Sequence, residues 1–289
     1  MRKGIILAGG NGTRLAPLTS VISKQLIPVF DKPMIYYPLS TLMLSGIREY
    51  LVITTSIDNY LYKKLLGNGS QWGINIQYEI QTAPDGIAQA FLIGEKFISD
   101  SNVAFILGDN LFHGNQLVPM LEEANIKTTG ATLFAYTVND PQRYGVLELG
   151  TNKEIIGIEE KPLIPKSRYA ITGLYYYDNN VIEYSKKLNF SKRNELEISD
   201  LNKIYLDKGN LNVQIMGRGT AWLDTGTIES LHEASSYIRT LENRQGLKIS
   251  CPEEIAWRNS WISDNELEIL AKPISKSGYG MYLLRLLNE

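Results

Sequence analysis

The sequence predicts an α/β fold: a Rossmann-like, mostly parallel central sheet with helices on both faces, a mixed subregion beside it and a helical C-terminal tail. Three observations predict it. Apolar runs at residues 4–8, 50–55 and 103–107 are nearly continuous in hydrophobicity, as expected of strands buried on both faces. Helix-periodic segments stand between them, the βα alternation of a parallel sheet. Beyond residue 110 that alternation gives way to closely spaced strand signals, and from residue 228 almost every signal is helical.

Residues 4–8 form the first strand, which runs straight into Gly9-Gly10-Asn11-Gly12-Thr13-Arg14. Glycine-dense backbone can approach a ligand closely, its successive N–H groups make an anion-binding concavity, and Arg14 adds a fork of donors for phosphate. The loop reads as a polyphosphate cradle or as an ordinary glycine turn. Its spacing fits neither the dinucleotide G-x-G-x-x-G fingerprint nor the P-loop. Residues 34–45 read as a helix stopped by Gly46. Residues 50–55 are the second strand, and Asp58 is placed to cap a helix with Leu61 and Leu65 on one side, ended by Gly67 and Gly69. A third strand spans 75–81. Residues 87–98 read as a helix with Ile87, Ala90, Phe91 and Gly94 facing inward. The fourth strand, 103–107, ends in Gly108-Asp109-Asn110.

In the middle, 131–138 is a strand, 144–149 and 154–160 a hairpin, 169–178 and 211–217 further strands, and 197–208 an amphipathic helix. The tail carries a helix at 228–244, with Leu231, Ala234, Ile238 and Leu241 in register and Gly246 after it, then helices at 252–261, 265–270 and 281–287. Trp257, Trp261, Tyr279 and Tyr282 crowd that tail, as the core of a small helical subdomain or as an oligomer contact. The domain expectation is a catalytic body over 1–245, with a nucleotide half at about 1–110 and a sugar half at about 111–227, and a tail over 246–289.

Composition narrows the function classes. A chain of 289 residues, 44% hydrophobic, has ample material for a core. Net charge is −2, so no general field draws nucleic acid or membrane, and anion binding must be local. The lone Cys251 excludes an internal disulfide framework, and two histidines, His113 and His232, argue against a multi-histidine zinc site. There is no basic-then-apolar leader and no run of membrane-spanning length, so a soluble, cytoplasmic protein is expected.

Two carboxylates stand at strand ends. Asp109 follows the run 103–107, where ligands of open α/β sheets bind. A carboxylate beside a phosphate cradle needs a bridging cation, which makes Asp109 a Mg²⁺ candidate; it is equally a turn aspartate. Asp224, in Ala221-Trp222-Leu223-Asp224-Thr225-Gly226-Thr227, is the second metal candidate or else the N-cap of the next helix. Lys24 and Lys161 could meet phosphates or be solvated surface charges. Gln81 offers an amide donor and acceptor to a base, and Gly86 lets a ring lie close to backbone.

Taken in order, Gly9 to Leu15, Ser23-Lys24-Gln25-Leu26-Ile27-Pro28-Val29 and Lys32-Pro33-Met34-Ile35-Tyr36-Tyr37-Pro38-Leu39 resemble the nucleotidyltransferase signature of the sugar-nucleotide pyrophosphorylases. Pro84-Asp85-Gly86, Leu107-Gly108-Asp109-Asn110, Arg143-Tyr144-Gly145-Val146, Glu159-Glu160-Lys161-Pro162, Thr172-Gly173, Glu197-Ile198-Ser199-Asp200-Leu201-Asn202 and 217–226 are similar, more narrowly, to the branch that joins dTTP to glucose-1-phosphate. The resemblance covers nearly the whole chain. It implies that Leu7, Gly9, Gly10, Asn11, Gly12, Thr13 and Arg14 hold the triphosphate, with Arg14, Lys24 and Lys161 offsetting charge in the reaction. Gln25 lies nearby, and Gln81 and Gly86 hold the thymine. Asn110, Tyr144, Gly145, Glu160, Lys161 and Ile171 form the sugar-phosphate pocket, and Asp109 and Asp224 bind Mg²⁺. Asn11 and Ala16 depart from the family's commoner residues. The resemblance further implies a homotetramer, a first step toward dTDP-rhamnose or other dTDP-deoxysugars, and a second nucleotide-sugar site near the tail, where Lys248 and Arg258 are candidates to meet a phosphate. Two other readings stay open: the same chemistry with UTP or another sugar phosphate, and a non-catalytic nucleotide-sugar sensor.

Overall fold

The computed structural model describes residues 2–10, 12–152 and 154–288. Its centre is a nine-stranded mixed sheet. Strands β1 (Arg2–Ala8), β4 (Glu49–Thr54), β5 (Asn75–Ile80) and β6 (Asn102–Leu107) run parallel, in the spatial order β5-β4-β1-β6. Two short strands, β2 (Pro28–Val29) and β3 (Lys32–Pro33), form a separate hairpin, and β7 (Asn110–His113) leaves the sheet just past β6. The second half adds β8 (Ala131–Thr137), β9 (Gly145–Leu149), β10 (Ile155–Glu160), β11 (Tyr169–Tyr177) and β12 (Leu211–Ile215), while β13 (Ala221–Asp224) pairs antiparallel with β7.

Adjacent side chains on each parallel strand enter different cores. Ile5 and Ile6, Leu51 and Val52, and Phe105 and Ile106 are all buried, and each pair divides between the two faces. That is why these runs are continuous rather than alternating in hydrophobicity. One face is covered by α1 (Tyr36–Leu44), α2 (Asn59–Leu66) and α5 (Leu117–Ile126). The other is covered by α3 (Gln89–Ile93), α4 (Glu95–Ile98), α6 (Val181–Ser185) and α7 (Ile198–Asp207). The long α8 (Ile228–Gln245) starts at a Thr227–Ser230 capping box, ends at Gly246 with φ 71°, and closes a third cluster around Leu15, Met34 and Leu111. The tail helices α9 (Pro252–Arg258), α10 (Asp264–Ala271) and α11 (Gly278–Leu286) place Ile255, Leu267 and Leu283 in the same apolar cluster as β1 and β6. Of the tail rings, Tyr282 is buried and Trp257, Trp261 and Tyr279 are half-buried against that cluster. No helix among the described residues is long and apolar enough to cross a membrane.

Three expectations are corrected. The segment 87–98 is two short helices broken at Gly94, where an added Cβ would stand 3.1 Å from the side chains of Ile5 and Leu51; close packing on the sheet takes precedence over helical continuity. In α2 the inner face is Asn59, Tyr62 and Leu66, while Leu61 is exposed; Asp58 accepts from Thr55 Oγ1 and makes no side-chain cap. The helix read over 252–261 ends at Arg258, because Ser260 takes a left-handed φ of 56°. Helix α5, helix α6 and the β7–β13 pair were not foreseen.

Strand β11 is where the two halves meet. Along one edge it pairs with β8 from end to end. Along the other it pairs with β9 at Ala170 and with β6 from Leu174 to Tyr177. The register breaks between Ile171 and Tyr175. On the opposite edge of the same stretch β9 gives way to β6, and a cleft lies there, beside the carboxyl end of β6.

Candidate active site

A cavity of about 270 Å³ occupies this opening. Its lining draws Asp109 and Asn110 from the β6–β7 turn, Tyr144, Gly145, Glu160 and Lys161 from the β9–β10 hairpin, and Ile171 from β11. Arg14 reaches it from the glycine loop, and Trp222 and Asp224 from β13.

The two acids meet because β7 and β13 are paired, with Asp224 opposite Asn110, the neighbour of Asp109. Thr225 fastens the junction, its N–H and Oγ1 donating to Asp109 O at 3.1 and 2.8 Å. Asp109 accepts from the ammonium of the buried Lys24 and from Asn110 Nδ2 at 3.0 Å. Burial alone would raise the Asp109 carboxyl; the Lys24 charge and these hydrogen bonds outweigh it and hold it below 3.8. Asp224 goes the other way. Burial first, and then the Asp109 charge, push its carboxyl up to about 6, against the partial offset of Lys24, Arg14 and Arg143. It does not cap α8, since Thr227 does. Two half-buried carboxylates, one ionised and raising the other, could together take a cation. The donor set suits a hard divalent cation such as Mg²⁺. It is oxygen only, and among the described residues no group of three or more His, Cys, Asp or Glu is poised to bind a metal, so phosphate and water would complete the shell.

The wall formed by β7, the β9–β10 hairpin and β11 is held by its own bonds. Asn110 Oδ1 accepts from Gly173 N at 3.0 Å and from Trp222 Nε1 at 2.6 Å, so its amide is already committed on three sides. Glu160 accepts from Ser199 Oγ and lies 3.6 Å from Arg193. Tyr144 packs against Trp222, ring centroids 5.0 Å apart and planes tilted by 59°. Lys161 is half-exposed, 3.8 Å from Glu160, with a left-handed φ of 45° held by its N–H donating to Tyr144 O at 3.0 Å. Non-glycine residues in that region carry strain that clusters at functional sites.

On the glycine-loop side lies a neighbouring groove lined by Gly9, Gly10, Ser23, Gln81 and Pro84. Leu7 closes β1, its carbonyl accepting from Gly108 N at 2.9 Å. Gly12 has φ 58°, a glycine conformation, and Thr13 and Arg14 are exposed beyond it. Arg14 makes no ion pair among the described residues. Asn11 lies outside the described residues. Gln25 is buried, its Oε1 accepting from Ser23 and Tyr62, both at 3.1 Å. Gly86 has a structural reason of its own: an added Cβ would stand 2.5 Å from the main chain of Leu196. Lys248, read as a phosphate candidate, is committed to Asp31 and to Glu242 at 2.6 Å, and Arg258 pairs with Glu254 at 2.8 Å. Cys251 is buried and free.

Sequence reasoning missed Thr172 and Asn202. Both line the cleft, and Thr172 Oγ1 and Asn202 Nδ2 are buried with no hydrogen-bond partner. An asparagine on the apolar face of 197–208, beside Ile198, Leu201 and Tyr205, was a usable signal. Thr172, inside a strand run, offered none.

Parallel sheet, strand-end carboxylates and glycine loop together define a nucleotide-handling α/β enzyme. Residues 3–240 match the family Nucleotidyl transferase, and the chain belongs to it. Over its full length it is most informatively compared with glucose-1-phosphate thymidylyltransferases. It is 60% identical to the one from Neisseria meningitidis serogroup A, covering 99% of this chain and 100% of that one. It is 54% identical to that of Mycobacterium tuberculosis, covering 99% of each. Among solved structures, a proposed glucose-1-phosphate thymidylyltransferase from Bacillus anthracis in complex with sucrose is 41% identical, with a TM-score of 0.77 over 83% of this chain and 96% of that one. A UDP-glucose pyrophosphorylase complexed with UDP-glucose shares the fold at 22% identity, with a TM-score of 0.71 over 83% of this chain and 99% of that one.

Proposed function

We propose that this chain transfers a thymidylyl group from dTTP to glucose-1-phosphate, releasing pyrophosphate and forming dTDP-glucose. The observation that carries the reading is the half-buried pair Asp109 and Asp224, set between the glycine-loop residue Arg14 and a polar pocket containing Glu160 and Lys161 in one cleft. The full-length relatives bear that activity in their names.

A phosphate oxygen of the sugar phosphate attacks the α-phosphorus of the triphosphate in line. The bond from the α-phosphorus to the bridging oxygen breaks, and the electron pair leaves on pyrophosphate. The nucleophile is already ionised near neutral pH, so no general base is required, and no histidine lines the cleft. The work is to bring two anions together and neutralise them. The backbone of Gly9, Gly10, Gly12 and Thr13 receives the triphosphate, with Leu7 beneath. Arg14 faces the departing pyrophosphate, and Lys24, with Gln25 beside it, balances the phosphates. Gln81 and Gly86 meet the base. Asn110, Tyr144, Gly145, Glu160 and Ile171 enclose the glucose, and Lys161 takes its phosphate. Asp109 and Asp224 would hold Mg²⁺, which would supply charge neutralisation to the reacting phosphates. On this reading residues 1–245 are the catalytic body and 246–289 an accessory segment fused to its core.

The test is pyrophosphate release with Mg²⁺ and glucose-1-phosphate, run separately against dTTP, UTP, CTP, ATP and GTP. Release foremost with dTTP is expected. Release mainly with another triphosphate would overturn the base assignment. Binding of nucleotide sugar without any release would make the chain a sensor.

A further inference from the structure

Behind the glycine loop, three side chains form a directed line. Gln81 Nε2 donates to Gln89 Oε1 at 2.7 Å, and Gln89 Nε2 donates to Asp85 Oδ2 at 2.9 Å. A second, longer contact joins Gln81 Nε2 to Gly86 O at 3.4 Å. A carboxamide alone has no fixed sense, because its oxygen and nitrogen are nearly alike in shape. A carboxylate removes that freedom, since it only accepts. Asp85 therefore draws the NH₂ of Gln89. The carbonyl of Gln89 then faces Gln81 and draws its NH₂ in turn. Gln81 is left with its carbonyl turned toward the loop.

The packing agrees with that sense. A Cβ on Gly9 would stand 2.4 Å from Gln81 Oε1, so the oxygen lies directly against the glycine. Gln81 is 7% exposed, and its Oε1 receives no hydrogen bond among the described residues. The groove beside it is bounded by Gly9, Gly10, Thr82, Ala83 and Pro84.

The geometry points to Asp85 and Gln89 as positioning residues that set nucleobase preference by holding Gln81 as a hydrogen-bond acceptor. The inference rests on the nucleotide reading above and deepens it. A pyrimidine with a ring imino N–H, thymine or uracil, donates to this oxygen. Cytosine brings a ring nitrogen acceptor to the same place and sets two acceptors against each other, and leaving such groups unpaired gives strong rejection. The 5-methyl group plays no part at this atom.

The test measures affinities for dTTP, UTP and dCTP by calorimetry, with Mg²⁺ and no sugar phosphate, beside thermal midpoints that confirm folding. Wild-type protein is expected to favour dTTP over dCTP strongly. Gln89→Leu frees the Gln81 amide to turn over and lowers that ratio by roughly tenfold or more. Asp85→Asn keeps the shape but removes the acceptor-only end, and lowers it less. The double variant Asp85→Asn with Gln89→Glu exchanges carboxylate and amide. It restores an acceptor-only group facing Gln81, and the ratio returns toward wild type. The dTTP to UTP ratio stays unchanged throughout. Folded single variants that keep the wild-type dTTP to dCTP ratio, a double variant no better than its parents, or wild-type protein that binds dTTP and dCTP alike would each overturn the inference. Wild-type preference for dTTP in binding, shifted as described but with no pyrophosphate release in turnover, would sink the proposed reaction and leave this relay standing.

Discussion

The two ends of the cleft are built from different material. At the glycine-loop end, proposed to take the nucleotide, much of the surface is main chain. Gly9, Gly10 and Gly12 carry no side chains, and Thr13 and Arg14 stand exposed beyond them. At the other end, proposed to take the sugar, the surface is side chain, and its groups are already tethered: Asn110 by Gly173 and Trp222, Glu160 by Ser199, and Tyr144 against Trp222. A surface of backbone is sensitive to any atom added. A surface of tethered side chains is sensitive to any atom removed. Asp109 and Asp224 form the joint between the two, contributed by the β6–β7 turn and β13 and brought together by the β7–β13 pair.

The largest expected effect lies at that joint. Asp224→Asn keeps volume and removes the charge that, on the proposed reading, holds the cation serving both substrates. Mg²⁺-dependent turnover should fall by roughly 10²–10³-fold, the scale on which loss of one preorganised electrostatic group is felt. Near-normal turnover would show that the two ends work without Asp224 and that the acids are not their joint.

The same contrast decides how much was legible in the sequence. The nucleotide end was readable because its signal is local. A buried strand followed by three glycines and an arginine is contiguous, and one physical argument about Cβ-free backbone covers it. The parallel strands were readable for a similar reason, each declared by its own apolar run. The sugar end is assembled from several separate elements, β6, β7, β9, β10, β11, α7 and β13, and no spacing along the chain encodes their meeting. Its residues entered through a family resemblance carried by ordered motifs. Thr172 and Asn202 stand inside the matched motifs without being singled out as site residues; their unpartnered buried atoms exist only once the fold forms, although Asn202 on an apolar helix face was a signal. The break in 87–98 was hidden likewise. Helical periodicity is intact there, and what interrupts it is the contact of Gly94 with Ile5 and Leu51 across the sheet.

A pair of substitutions sets the two ends against each other. Lys161→Ala removes a half-exposed ammonium from the sugar end. It should raise KM for glucose-1-phosphate by roughly 10–100-fold, the range of a hydrogen bond to a charged group, and leave dTTP affinity within a few-fold. Gly9→Ala adds one methyl at the nucleotide end, 2.4 Å from where Gln81 Oε1 now lies. It should weaken dTTP binding by a similar factor and leave sugar-phosphate use in the residual turnover little changed. Equal losses for both substrates in either variant would mean that the cleft responds as one body.

The smallest effect isolates the joint from both substrates. In metal-free protein the Asp224 carboxyl is held up at about 6 by burial and by Asp109. A carboxyl whose folded pKa is raised favours the folded state when protonated. Its contribution is complete below the ordinary value of 3.8 and is lost as pH rises through about 6. Metal-free Asp224→Asn cannot ionise there, so it should melt a few degrees above wild type at pH 8, with the gap narrowing toward pH 4. Mg²⁺ needs the ionised carboxyl, so wild-type affinity for Mg²⁺ should weaken as pH falls through about 6, while the variant shows no such step. A melting gap that does not change with pH would mean that Asp224 is not under the strain of its neighbour. The joint would then be a pair of independent acids rather than a site waiting for a cation.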